Sequence, residues 1–136
     1  MVKKTPRQRI DPADWEKYAS KGRQFLDTAE LAKEIGNWTS AGLLIVHGAI
    51  SLADAVAIKL KSVKSTSDDH KDAVALLREV AAGIEGRKEA LTHLERIIDE
   101  KNKVAYGGIS YRRADVDRLT LHVERFRKFA EGILRS

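Results

Sequence analysis

The sequence predicts an all-α protein, an up-and-down antiparallel bundle of four long helices and one short helix. Both prolines lie within the first twelve residues, which leaves the rest of the chain free to form helices. Apolar side chains recur at helical spacing over most of that remainder. The stretch 40–61 is apolar on nearly every side, and a soluble chain tolerates such a helix only when other helices enclose it. We therefore expect this stretch to be the central helix of the bundle.

The composition favours a single domain. A chain of 136 residues can bury a sufficient core without disulfides or metal ions. It has no cysteine, so disulfides, thiolate zinc sites and cysteine nucleophiles are excluded, and a cytoplasmic location is the default expectation. The central stretch carries His47, Asp54 and Lys59, which makes it a poor membrane span. The net charge of +5 permits contact with nucleic acid without requiring it.

Residues 1–10 are expected to form a disordered basic tail, and residues 11–136 the helical domain. The tail has few apolar side chains to offset the entropy lost on ordering. No apolar segment follows it directly, so it does not have the pattern of a signal peptide. Two alternatives are open: the tail is an arm that binds phosphate groups, or it is a solvated terminus, which is the commoner case.

The first two helices have clear boundaries in the sequence. Asp11 is expected to cap a helix that begins at Pro12 and runs to about Glu34. Gly36 then follows as a helix-ending residue. The central helix comes next and fades in the segment 61–67, which has the composition of a loop.

The last three helices follow the same periodic pattern. A short helix is expected to open at Ser67 or Asp68 and to end before a glycine-containing turn at 83–86. The fourth helix begins near Arg87 and ends at the glycine pair 107–108. The fifth helix follows, with a regular inward stripe made of Val116, Leu119, Val123, Phe126, Ala130 and Ile133.

Polar side chains interrupt two of these helices at positions where the helical period calls for apolar residues. On the central helix, His47, Ser51 and Asp54 are spaced i, i+4 and i+7, which places them along one face. On the fourth helix, the apolar stripe leads to Lys101 and Asn102. Natural sequences tend to break local patterns where function or a satisfied polar network requires it.

The polar positions of these two helices support two interpretations, and the sequence leaves both open. In one, they line a functional groove, to which Tyr106 adds a hydroxyl because it lies four residues after Asn102 on the same face. In the other, they form a buried hydrogen-bond network that fixes the register of the bundle, with Asp54 satisfied by Lys101 or Asn102.

Several common chemistries have no support in the sequence. It contains no glycine-rich phosphate loop and no Gly-x-Ser-x-Gly turn around a nucleophilic serine. The histidines fall on four different predicted helices, without the spacing of metal ligands, so no metal and no cofactor are expected. They are His47, His70, His93 and His122.

Three segments, 44–55, 69–77 and 101–108, come in an order and spacing that resembles the HEPN-domain proteins. The likeness covers roughly residues 13–134. It implies a small helical bundle that dimerises, and it implies one of two functions. Many members are metal-independent ribonucleases, often toxins or defence proteins, whereas others are partners of minimal nucleotidyltransferases.

The resemblance also assigns roles to three residues. Lys101 stands at the position of the family's arginine, Asn102 at its polar position, and Tyr106 where its histidine would be. Lysine lacks the bidentate fork of arginine, and tyrosine is a poor acid or base at neutral pH. The expected function is therefore contact with RNA or a nucleotide, or with a nucleotidyltransferase, without strong catalysis.

The binding residues expected for this function are His47, Asp54, Lys101 and Asn102. One alternative is a metal-independent endoribonuclease of the toxin or defence type, with an antitoxin as partner. Its catalytic residues would be Lys101, Asn102 and Tyr106, with help from His47. A second alternative is a structural interaction module.

A homodimer is expected on two grounds. The resemblance implies one, and a bundle of this size has limited interior volume for all of its large apolar side chains. Some of these side chains are expected to stay exposed in a monomer and to be covered by a second chain: Trp15, Tyr18, Phe25, Leu121 and Phe129.

Overall fold

The computed structural model describes residues 5–108 and 110–136, and the side chains of 103–107 lie outside that description. The predicted bundle of four long helices and one short helix is confirmed. The elements are β1 (Arg7–Arg9), α1 (Trp15–Glu34), α2 (Trp38–Lys61), β2 (Val63–Ser65), α3 (His70–Val80), α4 (Arg87–Gly107) and α5 (Arg113–Leu134).

The start of α1 differs slightly from the expectation. The Asp11 carboxylate accepts a hydrogen bond from the Ala13 amide at 2.9 Å, which confirms it as a cap. What it caps is a 3-10 turn, Pro12–Asp14, and the α-helix begins at Trp15. Tight turns of this kind are common at helix ends. Similarly, α3 begins at His70 with Asp69 as its cap, slightly later than expected.

Helix α2 is the centre of the bundle, as its composition predicts. Its largest fully buried side chains include Ile45, Leu52 and Ile58, and α1, α3 and α5 pack around it. Helix α4 lies mainly against α5 and α3 and has a smaller contact with α2. By length and composition alone α2 could cross a membrane, but most of it is buried inside the bundle, as in the core helix of a soluble protein.

Two glycines allow α1 and α2 to approach closely. A Cβ atom on Gly22 would lie 3.0 Å from the carbonyl oxygen of Gly48. One on Gly48 would lie 2.6 Å from a methyl group of Leu26. Side chains at either position would force the helices apart, so this crossing depends on glycine.

The expectation of a disordered tail is wrong for part of the segment. Strand β1 pairs antiparallel with β2, with Arg7 opposite Ser65 and Arg9 opposite Val63. The Arg7 guanidinium also donates to the Glu79 carboxylate at 2.6 Å. Backbone pairing and this ion pair provide the stabilisation that composition alone did not indicate. Residues 1–4 lie outside the described residues.

Strand β2 also corrects the expectation of a loop after α2. Ser62, with φ of 57°, caps α2 in the left-handed conformation and turns the chain into the strand. The carbonyl of Ser62 then accepts a hydrogen bond from the Ile10 amide at 2.8 Å.

Tyr111 fixes the corner between α4 and α5. It is buried, its hydroxyl donates to the Glu100 carbonyl at 2.9 Å, and its amide donates to the Thr39 hydroxyl at 3.0 Å. Its ring lies so close to Gly42 of α2 that a Cβ there would overlap it. This packing holds the segment of α4 that carries Lys101.

Candidate functional site

The polar stripe on α2 passes from an exposed to a buried environment. His47 is exposed, Ser51 is buried, and Asp54 is partly buried. The three residues share one face, as the spacing predicts. The three residues have different neighbours, however.

His47 lies between α1 and α4. Its ring centroid is 6.1 Å from that of Phe25 on α1. Desolvation lowers the pKa of His47, and the positive charges of Lys101 and Lys21 lower it further. At neutral pH the imidazole is therefore uncharged, so it can both donate and accept hydrogen bonds.

His70 is the first residue of α3 and belongs to the same neighbourhood. Desolvation lowers its pKa, with further lowering by Lys101 and His47, whereas Asp69 and Asp68 act in the opposite direction. It lies in an open cavity of about 460 Å³ lined by Asp68, Asp69, His70, Ile98, Lys101 and Asn102.

The positive charge of Lys101 acts on both of these histidines. It is partly buried near the end of α4, and its charge acts on His47 of α2 and on His70 of α3. Asn102 is exposed and lines the cavity beside it. The Tyr106 side chain, predicted to belong to this site, lies outside the described residues. The structure thus places two of the predicted binding residues, Lys101 and Asn102, in one cavity with His70, and the charge of Lys101 also reaches a third, His47.

Asp54 has a different set of neighbours from the ones predicted. Among the described residues, no hydrogen bond or ion pair joins its carboxylate to Lys101, to Asn102 or to any other side chain. The interpretation in which either residue satisfies it is therefore wrong for the described structure. Burial raises the pKa of Asp54 to about 6, and only the charges of Lys64 and Lys21 oppose this rise.

These two lysines come from elements that the sequence did not connect with the site. Lys64 is on β2, and its ammonium lies 6.0 Å from the ring centroid of Tyr18. Lys21 is on α1, 5.8 Å from the ring centroid of Phe25. Lys21 was missed because it lies on another helix, 26 residues before His47. Lys64 fell in a segment with the composition of a loop.

We name the group Lys21, His47, Lys64, His70 and Lys101 the cationic face. It collects side chains from α1, α2, β2, α3 and α4. Three acids accompany it: Asp54, whose charge interacts with Lys21 and Lys64, and Asp68 and Asp69, which line the cavity with His70 and Lys101. Its lysines can bind phosphate oxygens, and its neutral imidazoles can donate hydrogen bonds to them. The described residues contain no cluster of three or more side chains suited to holding a metal ion.

Comparison with known proteins adds no relative. No protein-family model, curated protein or solved structure matches the chain. The fold and the site therefore define the class of protein by themselves: an all-α bundle with a cationic face and a partly buried acid between its lysines.

Proposed function

We propose that this chain is a HEPN-like helical domain that contacts RNA or a nucleotide through its cationic face, without strong catalysis. Alternatively, the domain partners a nucleotidyltransferase through the same face. The observation that carries the proposal is the position of Lys101, which lines one cavity with His70 and Asn102 and whose charge also lowers the pKa of His47.

The charge distribution supports a polyanionic ligand. Lysines from three elements, Lys21, Lys64 and Lys101, act on groups of the same face. Like charges repel one another, and a bound anion would reduce that repulsion beyond what the neighbouring carboxylates of Asp54, Asp68 and Asp69 already do. Phosphate groups of RNA or of a nucleotide supply such an anion, and their binding releases counterions.

The histidines give the face hydrogen-bonding capacity beyond its charge. Because their pKa values are lowered, His47 and His70 are neutral at pH 7 and offer N–H donors without adding to the repulsion. Half-buried rings of Tyr18 and Phe25 lie beside the lysines and provide apolar surface. Basic side chains interleaved with aromatic rings are typical of surfaces that bind single-stranded nucleic acid.

The experiment is a titration of a fluorescently labelled single-stranded RNA with the protein, followed by anisotropy at several salt concentrations. The Lys101→Ala variant should bind more weakly. The slope of the logarithm of the binding constant against the logarithm of the salt concentration should become shallower by about one, which corresponds to the loss of one phosphate contact. Lys88→Ala is the matched control, since Lys88 is an exposed lysine in the first turn of the same helix. The proposal fails if wild type binds no RNA, or if the two variants weaken binding equally.

A further inference from the structure

We propose that Asp54 recognises guanine, so that the cationic face takes guanosine nucleotides or unpaired guanine in RNA in preference to other bases. This inference rests on the proposed function, and it names the base that the face selects.

Asp54 is an acceptor without a donor. Its carboxylate is partly buried, and in the described part of the chain it has no hydrogen-bonding partner. A half-desolvated carboxylate is costly unless donors reach it, and its two oxygens can accept two parallel N–H groups. A ligand with two adjacent N–H donors would therefore satisfy the hydrogen-bonding capacity of the Asp54 carboxylate.

Guanine is the RNA base with that donor arrangement. Its Watson–Crick edge presents the N1–H and the N2 amino group side by side, whereas adenine, cytosine and uracil each present a single donor between or beside acceptors. A carboxylate facing adenine would meet the unprotonated N1, which repels it. Such edges are accessible in unpaired nucleotides, the form in which proteins read RNA sequence.

The position of Asp54 on α2 suits a bound nucleotide. It lies seven residues after His47, which in a helix is a rise of about 10.5 Å. That separation lets a phosphate lie near His47 and Lys101 while the base edge reaches Asp54. The positive charge of Lys21 lowers the pKa of His47 and opposes the rise in the pKa of Asp54, so it acts on both ends of the site.

The surroundings of Asp54 also favour the form that accepts hydrogen bonds. Burial raises the pKa of Asp54 to about 6, but this still leaves the carboxyl ionised at pH 7.5. Lys21 and Lys64 stabilise the ionised form without forming an ion pair with it. The rings of Tyr18 and Phe25, next to these lysines, provide a surface on which a base can stack.

The test compares three labelled oligoribonucleotides at pH 7.5 that differ only at their central base, which is guanine, inosine or adenine in a uridine context. We expect wild type to bind the guanine oligonucleotide about tenfold tighter than the adenine one, with inosine between them because it keeps N1–H and lacks the amino group. Parallel calorimetry with GMP and AMP shows whether the face takes free nucleotides or requires the RNA chain.

The Asp54→Asn variant provides the second half of the test. It should keep the affinity for the adenine oligonucleotide and reduce the preference for guanine to less than about twofold, because an amide places a donor against the donors of guanine. Asp117→Asn, which changes an exposed aspartate on α5, should leave the preference intact. Melting curves confirm that both variants are folded.

The outcomes separate this inference from the proposed function. If wild type binds guanine and adenine oligonucleotides equally and Lys101→Ala weakens both, the RNA-binding function stands and guanine recognition is overturned. A preference that persists in Asp54→Asn also overturns it. If no oligonucleotide or nucleotide binds, both proposals fall together.

Discussion

The Nδ1 atoms of His93 and His122 lie 2.9 Å apart, so α4 and α5 are joined by a hydrogen bond between two imidazole rings. One ring donates and the other accepts, which requires that at least one of them is uncharged. Protonation of both would remove the acceptor and place two positive charges in contact. Burial, followed by His93 and Arg96, lowers the pKa of His122 accordingly.

Acid should therefore destabilise the bundle through this pair. A histidine whose pKa is lowered on folding stabilises the protein above its unfolded value of about 6.5, and this contribution is lost as the pH falls below that value. Between pH 8 and pH 5.5, wild type should lose about 1 kcal/mol more of its unfolding free energy than the His122→Gln variant loses. Urea unfolding of both proteins at the two pH values measures it. Equal losses in the two proteins would contradict the prediction.

The carboxylate of Asp54 should reduce the stability of the free protein. Its pKa is raised to about 6 on folding, so the folded state favours the protonated form, and stability falls as the pH rises from the unfolded pKa of about 3.9 to the folded one. We expect Asp54→Asn to be more stable than wild type by about 1–2 kcal/mol at pH 7.5, a figure that allows for the remaining exposure of the side chain.

The pH dependence of this gain provides its control. Below about pH 3 the carboxyl is protonated in both the folded and the unfolded states, so the advantage of Asp54→Asn should disappear there. Thermal unfolding at pH 7.5 and about pH 3 gives the comparison. A variant less stable than wild type at pH 7.5 would mean that the carboxylate has a stabilising partner.

The fold followed from local patterns, whereas the site depended on contacts between distant segments. The apolar stretch around Ile45 and Leu52 could only be a central helix, because no other element hides so much apolar surface. His47 and Lys101 were recognisable because each broke the apolar pattern of its own helix. Lys21 and Lys64 broke no pattern, and only the tertiary arrangement brings them to Asp54. The strand at Arg7 is stabilised by pairing with Ser65, which no local signal reveals.

Two glycines of the helices should respond oppositely to substitution by alanine. In Gly42→Ala the new Cβ would overlap the buried ring of Tyr111, so we expect destabilisation by about 1–3 kcal/mol. Gly132 of α5 has open space where a Cβ would be, so Gly132→Ala should stabilise by up to about 1 kcal/mol through helix propensity. Urea unfolding of the pair measures both. A Gly42→Ala variant as stable as wild type would contradict the packing of Tyr111.

The predicted homodimer needs an exposed apolar surface, and Leu121 on α5 provides part of one, with half of the residue exposed. Three of the other apolar side chains expected there, Trp15, Tyr18 and Phe129, are partly buried against the core. The fourth, Phe25, is partly buried beside His47 and Lys21. We expect light scattering at micromolar concentration to give the mass of two chains for wild type and of one chain for Leu121→Asp. Ile35→Asp, at an exposed position at the end of α1, is the control. The mass of one chain for wild type at every concentration would contradict the dimer.

The endoribonuclease alternative calls for an assay without metal ions. We expect a mixed RNA incubated with the protein in chelator to stay intact on a denaturing gel, because the proposed function involves no strong catalysis. The Lys101→Ala, Tyr106→Phe double variant controls for contaminating nucleases. Cleavage by wild type that the double variant lacks would establish the nuclease and contradict the prediction.

The ribbon of β1 and β2 closes the chain into a loop that contains the whole of α1 and α2. Because pairing of distant segments costs loop-closure entropy, we expect β1 and β2 to pair late in folding, after α1 and α2 have packed. Three-residue strands have few hydrogen bonds, so their amides should exchange with solvent through openings that leave the helices intact. Lys64 of the cationic face sits in this ribbon opposite Gln8. A phosphate bound at Lys64 would favour the closed ribbon, and RNA should therefore slow amide exchange in β1, although β1 contributes no residue to the cationic face.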